Sequence, residues 1–116
     1  MGGRYEAPHG ALCGRLLVPV MRRNLACSEP GTVSFDRHTE CMAIVARVFP
    51  PQDGLDQLSG FESWMRYKNL PRLSDWGVRA TSLDELAISA TQASSSKKNA
   101  TPLTADEFRR ILEDAL

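Results

Sequence analysis

Apolar residues recur at helical intervals in each run of this chain between its proline- and glycine-bearing breaks, and no clean alternation persists over the length of a strand. That pattern confines the chain to an all-α fold. The first run follows His9, where Leu12, Leu16, Leu17, Val20 and Met21 form a stripe that ends near Ala26 to Ser28. Pro19 lies inside it, removes one backbone donor and predicts a kink or local irregularity. A second run opens after Thr32 or Ser34, either of which can cap it. It carries His38, Met42, Val45 and Phe49 on one face and is stopped by Pro50-Pro51. A third follows Asp53, with Leu55, Leu58, Phe61 and Met65 on one side and Trp64 beside them. Gly60 weakens it by about 1 kcal/mol relative to alanine, and Leu70-Pro71 ends it. A fourth is predicted from a capping box, Ser82 with Glu85, ahead of Leu83, Leu86, Ala87 and Ala90. The fifth has the best start signal: Thr104 and Glu107 form a capping box, Leu103 and Phe108 a hydrophobic staple, and Phe108, Ile111, Leu112 and Ala115 face inward. Val18, Val20, Ile44 and Val48 are β-branched, but their neighbours keep the helical period. The expectation is a compact bundle of about five helices.

Two breaker-rich stretches, residues 28–32 and 50–54, and a polar tract over residues 94–101 read as loops. None is long enough to divide the chain, so residues 1–116 are expected to form a single helical domain, and a chain of this length can bury a core without staples. Lys and Arg together number 14, as do Asp and Glu, so the formal net charge is zero. That counts against a nucleic-acid binder, which would show a basic face. No apolar run reaches the length of a membrane span, and the first residues lack the apolar core of a signal peptide. The expected location is therefore the cytoplasm.

Few side chains carry chemistry. Cys13, Cys27 and Cys41 are odd in number, widely spaced and without a CxxC pair, which favours reduced thiols over a disulfide framework or a structural zinc site. His9 opens the first helix. As a metal ligand it would need two or three further N, O or S donors; Cys13 is one turn away, and Glu6 lies outside the helix. Read from the chain alone, His9 is a partly exposed histidine at a helix start. His38 sits on an apolar face with Asp36 on another, which makes it a core or boundary residue. Lys97 and Lys98 finish a helix, where cations suit the dipole. Trp64 and Trp76 read as packing residues, and Arg22-Arg23 as a solvated charge pair.

Three segments add a resemblance. The first, EAPHGALCGRLLVPVMRRN (residues 6–24), is a Pro-His-Gly turn opening into a helix through Leu-Val-Pro-Val to an Asn. The second is NLPRLSDWGV (residues 69–78). The third, SSSKKNATPLTADEFRRILEDAL (residues 94–116), is a polar loop leading to a Leu-Thr cap and a last helix. Together and in this order they resemble the C-terminal helical domain of the iron-containing alcohol dehydrogenase family. The resemblance implies an all-helical domain packed across a cleft from a nucleotide-binding α/β domain. It also implies hydride transfer between NAD(P) and an alcohol or aldehyde, with Fe2+ or Zn2+ polarising the substrate oxygen. His9 matches the family's last metal-ligand histidine; the other ligands, an Asp and two His, and the cofactor-binding loops precede this region in the family. Asn99-Ala-Thr-Pro102 departs from the family, where Asn often directly precedes Pro.

The expectation is thus a stand-alone or truncated helical domain that lacks dehydrogenase activity by itself and needs no cofactor in isolation. The alternative is one half of a split dehydrogenase, completed by a separate cofactor-binding chain. Without that chain the domain exposes an interface, so it is expected to self-associate or to have lost apolar character there. Neither nucleic acid nor membrane is expected as a partner.

Overall fold

A computed structural model describes residues 3–116. Five α-helices make up the fold: α1 (His9–Cys27), α2 (Val33–Val48), α3 (Ser59–Tyr67), α4 (Leu83–Gln92) and α5 (Ala105–Ala115). Short 3-10 turns occupy Leu73–Trp76, Ala80–Ser82 and Ser96–Lys98, and there is no strand among the described residues. The molecule measures 35 × 33 × 22 Å.

Helix α1 is the shared element. Leu12 joins one core with Leu73, Val78, Leu83, Leu86, Ala87, Leu112 and Ala115. Val18, a turn and a half further on, joins a second core with Met42, Leu58 and Met65. One core therefore lies against α4 and α5, the other against α2 and α3. Pro19 is buried within α1, which runs on through it as one helix.

Caps decide where the helices begin. Thr32 Oγ1 accepts from the Phe35 amide at 3.2 Å and starts α2, and Thr104 Oγ1 accepts from the Glu107 amide at 3.3 Å and starts α5. In each case the hydroxyl satisfies an N–H that has no partner within the helix. Two expected starts differ. Helix α3 begins at Ser59, not after Asp53. Asp56 Oδ1 takes the Leu58 N–H at 3.1 Å and the Asp56 carbonyl takes the Ser59 N–H at 3.1 Å, which turns the chain before any helix forms. Leu55 is left 62% exposed while Leu58 is fully buried. The Ser82–Glu85 box does not form. Ser82 is itself helical, the last residue of a 3-10 turn that runs into α4, and Glu85 pairs with Arg4 at 2.9 Å.

The connector from α3 to α4 depends on two left-handed residues. Asn69 has φ 55° and lets the Leu70 N–H reach back to the Met65 carbonyl at 3.1 Å. Gly77 has φ 86°, and the Val78 N–H reaches the Leu73 carbonyl at 3.2 Å. Both are helix-ending motifs that glycine, and to a lesser degree asparagine, adopt at low cost. Pro71 follows the first. Arg15 of α1 then holds the connector, donating from Nε to the Pro71 carbonyl at 2.7 Å and from Nη2 to the Leu70 carbonyl. Burial, then the neighbouring Arg72, pushes the Arg15 guanidinium below its ordinary range.

Arg22 and Arg23 are tethers, not a solvated pair. Arg22 binds Asp56 through two parallel contacts of 2.7 and 3.1 Å and Glu62 at 2.6 Å. Those bonds hold the Asp56 carboxyl below the usual range against the opposing effect of burial. Arg23 Nε lies 3.2 Å from Glu107 Oε2. That buried oxygen has the Arg23 charge beside it and no hydrogen-bond partner.

Candidate functional site

His9 is the first residue of α1, after Pro8, and its imidazole is exposed. One turn on, Cys13 is exposed too, and its Sγ lies 3.5 Å from His9 Nε2. The pair faces solvent beside a cleft of about 380 Å³ between α1, α4 and α5. Leu12, Leu16, Val20, Phe108 and Ile111 supply its apolar wall, and His9, Ser89, Ser95 and Ser96 its polar groups. Its size falls within the range of small-ligand sites.

A resident metal needs more donors than this pair provides. Zinc takes four ligands, or three and a water, and no group of three or more His, Cys, Asp or Glu side chains converges among the described residues. Glu6, the third donor considered from sequence, is not brought to His9 and Cys13. An imidazole nitrogen and a sulfur at this separation fit part of a metal site. The other cysteines are apart from it: Cys41 is exposed on α2, and Cys27 is half-buried, its thiol pushed up by burial and then by Glu107.

A second cluster is polar and enclosed. Thr101 is 4% exposed and Asn24 is 7% exposed. Thr101 Oγ1 lies 2.8 Å from Ser28 Oγ and 2.9 Å from His38 Nε2. The Ser28 hydroxyl donates to the Asn24 carbonyl at 2.6 Å. With that proton committed, Thr101 donates to Ser28, so His38 donates from Nε2 to Thr101. The Asn24 and Asn99 amides bond reciprocally at 3.2 and 2.8 Å, and Asn99 also donates to the Thr101 carbonyl. His38 is therefore a boundary residue that pins the loop before α5 onto the ends of α1 and α2. The hydroxyls of Ser28 and Thr101 and the amides of Asn24 and Asn99 are engaged with one another, and the cluster reads as a latch. Sequence reasoning missed it because its bonded partners lie up to 75 residues apart.

The remaining candidates are structural. Lys97 and Lys98 are exposed in the 3-10 turn Ser96–Lys98, beyond the end of α4. A cleft of about 430 Å³ is lined by Arg15, Arg66 and Arg72 together with Glu62, Asp75 and Asp114. Arg15 is committed to two carbonyls, Glu62 to Arg22, and Asp75 accepts the Arg72 N–H at 2.7 Å. Trp76 packs on the first core. Trp64 is 44% exposed and lies against Phe49 and Phe61, with centroids at 5.2 and 6.0 Å. Val33, Val48, Leu55, Tyr67 and Ile88 are also well exposed. No helix among the described residues is long and apolar enough to cross a membrane.

Comparison with protein-family models, with curated proteins and with solved structures finds no match to this chain.

Proposed function

We propose that this chain is a helical domain of the iron-containing alcohol dehydrogenase type, without dehydrogenase activity by itself, that offers His9 to a metal site. The single observation that supports the reading is the setting of His9: first in α1, solvent-facing, at the rim of a largely apolar cleft, in a donor set too small to hold a metal alone. The resemblance itself stands on the three sequence segments. A divalent iron or zinc ion, when bound in such a site, polarises the oxygen of an alcohol or aldehyde. This chain's part is to present one imidazole nitrogen from the start of α1, with the clamp of Arg15 on the connector and the Asn24–Asn99 latch tying α1 to its neighbours.

The incomplete donor set also favours a second reading, in which the chain is one half of a split NAD(P)-dependent dehydrogenase and a separate α/β chain brings the remaining ligands and the nicotinamide site. Co-expression with the nucleotide-binding half of an iron-containing alcohol dehydrogenase tests both. The chain alone is expected to turn over no alcohol. A reconstituted pair is expected to bind Fe2+ or Zn2+ and to reduce aldehydes with NAD(P)H in a way that His9→Ala abolishes. A folded, associated pair whose metal binding ignores His9→Ala would refute the reading.

A further inference from the structure

We infer that His9 and Cys13 form one edge of a tetrahedral zinc site, which a second copy of this chain completes. Zinc holds a thiolate sulfur at about 2.3 Å and an imidazole nitrogen at about 2.0–2.1 Å, so a tetrahedral angle separates the two donors by about 3.5–3.6 Å. Cys13 Sγ and His9 Nε2 lie 3.5 Å apart. The two residues are four apart on α1 and therefore share a face. The separation already matches that of two donors on one zinc ion, and the thiol gives up its proton when the ion binds. A thiolate paired with an imidazole selects zinc over the hard cations that prefer oxygen.

Coordination number supplies the partner. One chain gives two donors, and no third converges among the described residues. A two-fold axis through the ion duplicates the pair and gives two nitrogens and two sulfurs, the full set for zinc. The helix surface permits the approach. Gly10 has open space where a side chain would be, and Leu17, one turn beyond Cys13, is 44% exposed and able to meet its symmetry mate. His9, Gly10, Cys13 and Leu17 bring no fixed charge to this face.

The inference shares with the proposed function only the use of His9 as a metal donor; Cys13 and the second copy are new. Metal-stripped protein is titrated with zinc by calorimetry, with the association state followed by sedimentation and with cobalt(II) as a spectroscopic probe. The expected result is about one metal per two chains, conversion of monomer to dimer, and a thiolate-to-cobalt charge-transfer band. Cys13→Ser should abolish the band and the dimer and weaken zinc binding at least about tenfold, which is about 1.4 kcal/mol. Cys41→Ser should leave all three unchanged. Both cysteines and His9 are exposed, so far-ultraviolet circular dichroism should show intact helices in every variant. A monomer binding one zinc per chain, a dimer indifferent to metal, or binding unaffected by Cys13→Ser would overturn the inference. Binding lost in His9→Ala but kept in Cys13→Ser would sink this site alone and leave the proposed role of His9 standing. Binding indifferent to both variants would sink this site, while the proposed role of His9 is decided by the reconstituted pair.

Discussion

Among single residues, Thr101 carries the most structure for its size. Its one hydroxyl joins α1, through Ser28, to α2, through His38, and its carbonyl takes the Asn99 amide. Thr101 itself is buried, while its partners Ser28 and His38 are half-buried. Thr101→Val keeps the shape, removes the hydroxyl and leaves the Ser28 oxygen and the His38 N–H without it. The expected cost is about 1–3 kcal/mol, the usual penalty for stranding buried polar groups, read as a lowered urea midpoint at unchanged slope. His9→Ala, at an exposed position, should shift the same midpoint by no more than about 0.5 kcal/mol. Equal effects of the two would mean that the latch contributes nothing. The contrast shows what a sequence reveals about single residues. His9 and Cys13 can be paired on paper because four residues on a helix is one turn. Thr101 and His38 cannot, because only the packing of three elements brings them within 2.9 Å.

At the level of elements, local chemistry predicted well wherever it had no tertiary competitor. The starts of α2 and α5 follow from Thr32 and Thr104, whose hydroxyls cap them, but the reciprocal Glu107 half of the Thr104 box does not form and the Glu107 carboxylate lies against Arg23 instead. The start of α3 does not follow from the Leu55–Leu58–Phe61 spacing. Arg22 of α1 draws Asp56 into an ion pair, and Asp56 then spends its carboxylate and carbonyl on the turn that delays the helix to Ser59. The Ser82–Glu85 box fails for a similar reason, since Arg4 claims Glu85. Gly60 reverses most plainly. By propensity it is a weakness in α3. In the fold it is the point where α3 meets the end of α2, and a Cβ there would overlap the Pro50 carbonyl oxygen and lie 2.6 Å from that of Phe49. Backbone cannot step aside as a side-chain tip can. Gly60→Ala should therefore destabilise the protein by about 1–3 kcal/mol, the range for overpacking, despite the better helix former. Gly10→Ala meets nothing within 4 Å and should stabilise by about 0.5–1 kcal/mol. Thermal or urea unfolding of the two variants checks the pair. Two stabilising outcomes would mean that the α2–α3 contact is looser than described.

For the whole molecule, the question is whether two cores make two folding units. They share no buried residue, and each has its own helices: α4 and α5 around one, α2 and α3 around the other. Helix α1 opposes their separation. It gives Leu12 and Leu16 to the first core and Val18, Met21 and Leu25 to the second, and it extends side-chain bonds to both sides, from Arg22 to Asp56 and Glu62 and from Asn24 to Asn99. Neither core can melt without stripping one end of a helix that the other still needs. Single domains of this length usually unfold in one transition, and here the shared helix gives that behaviour a cause. The two tryptophans report on it independently, because Trp76 packs on the first core while Trp64 lies against Phe49 and Phe61 beside the second. In Trp64→Phe and Trp76→Phe, each variant has one fluorophore watching one core. Their urea transitions, each compared with circular dichroism on the same variant, should coincide. Val18→Ala, which excavates only the second core, should lower the Trp76 signal's midpoint as much as the Trp64 signal's. A Trp76 transition that stays in place while Trp64 reports early unfolding would show that α1 can fray from α2 and α3 alone, and the protein would then be two cooperative units strung on one helix.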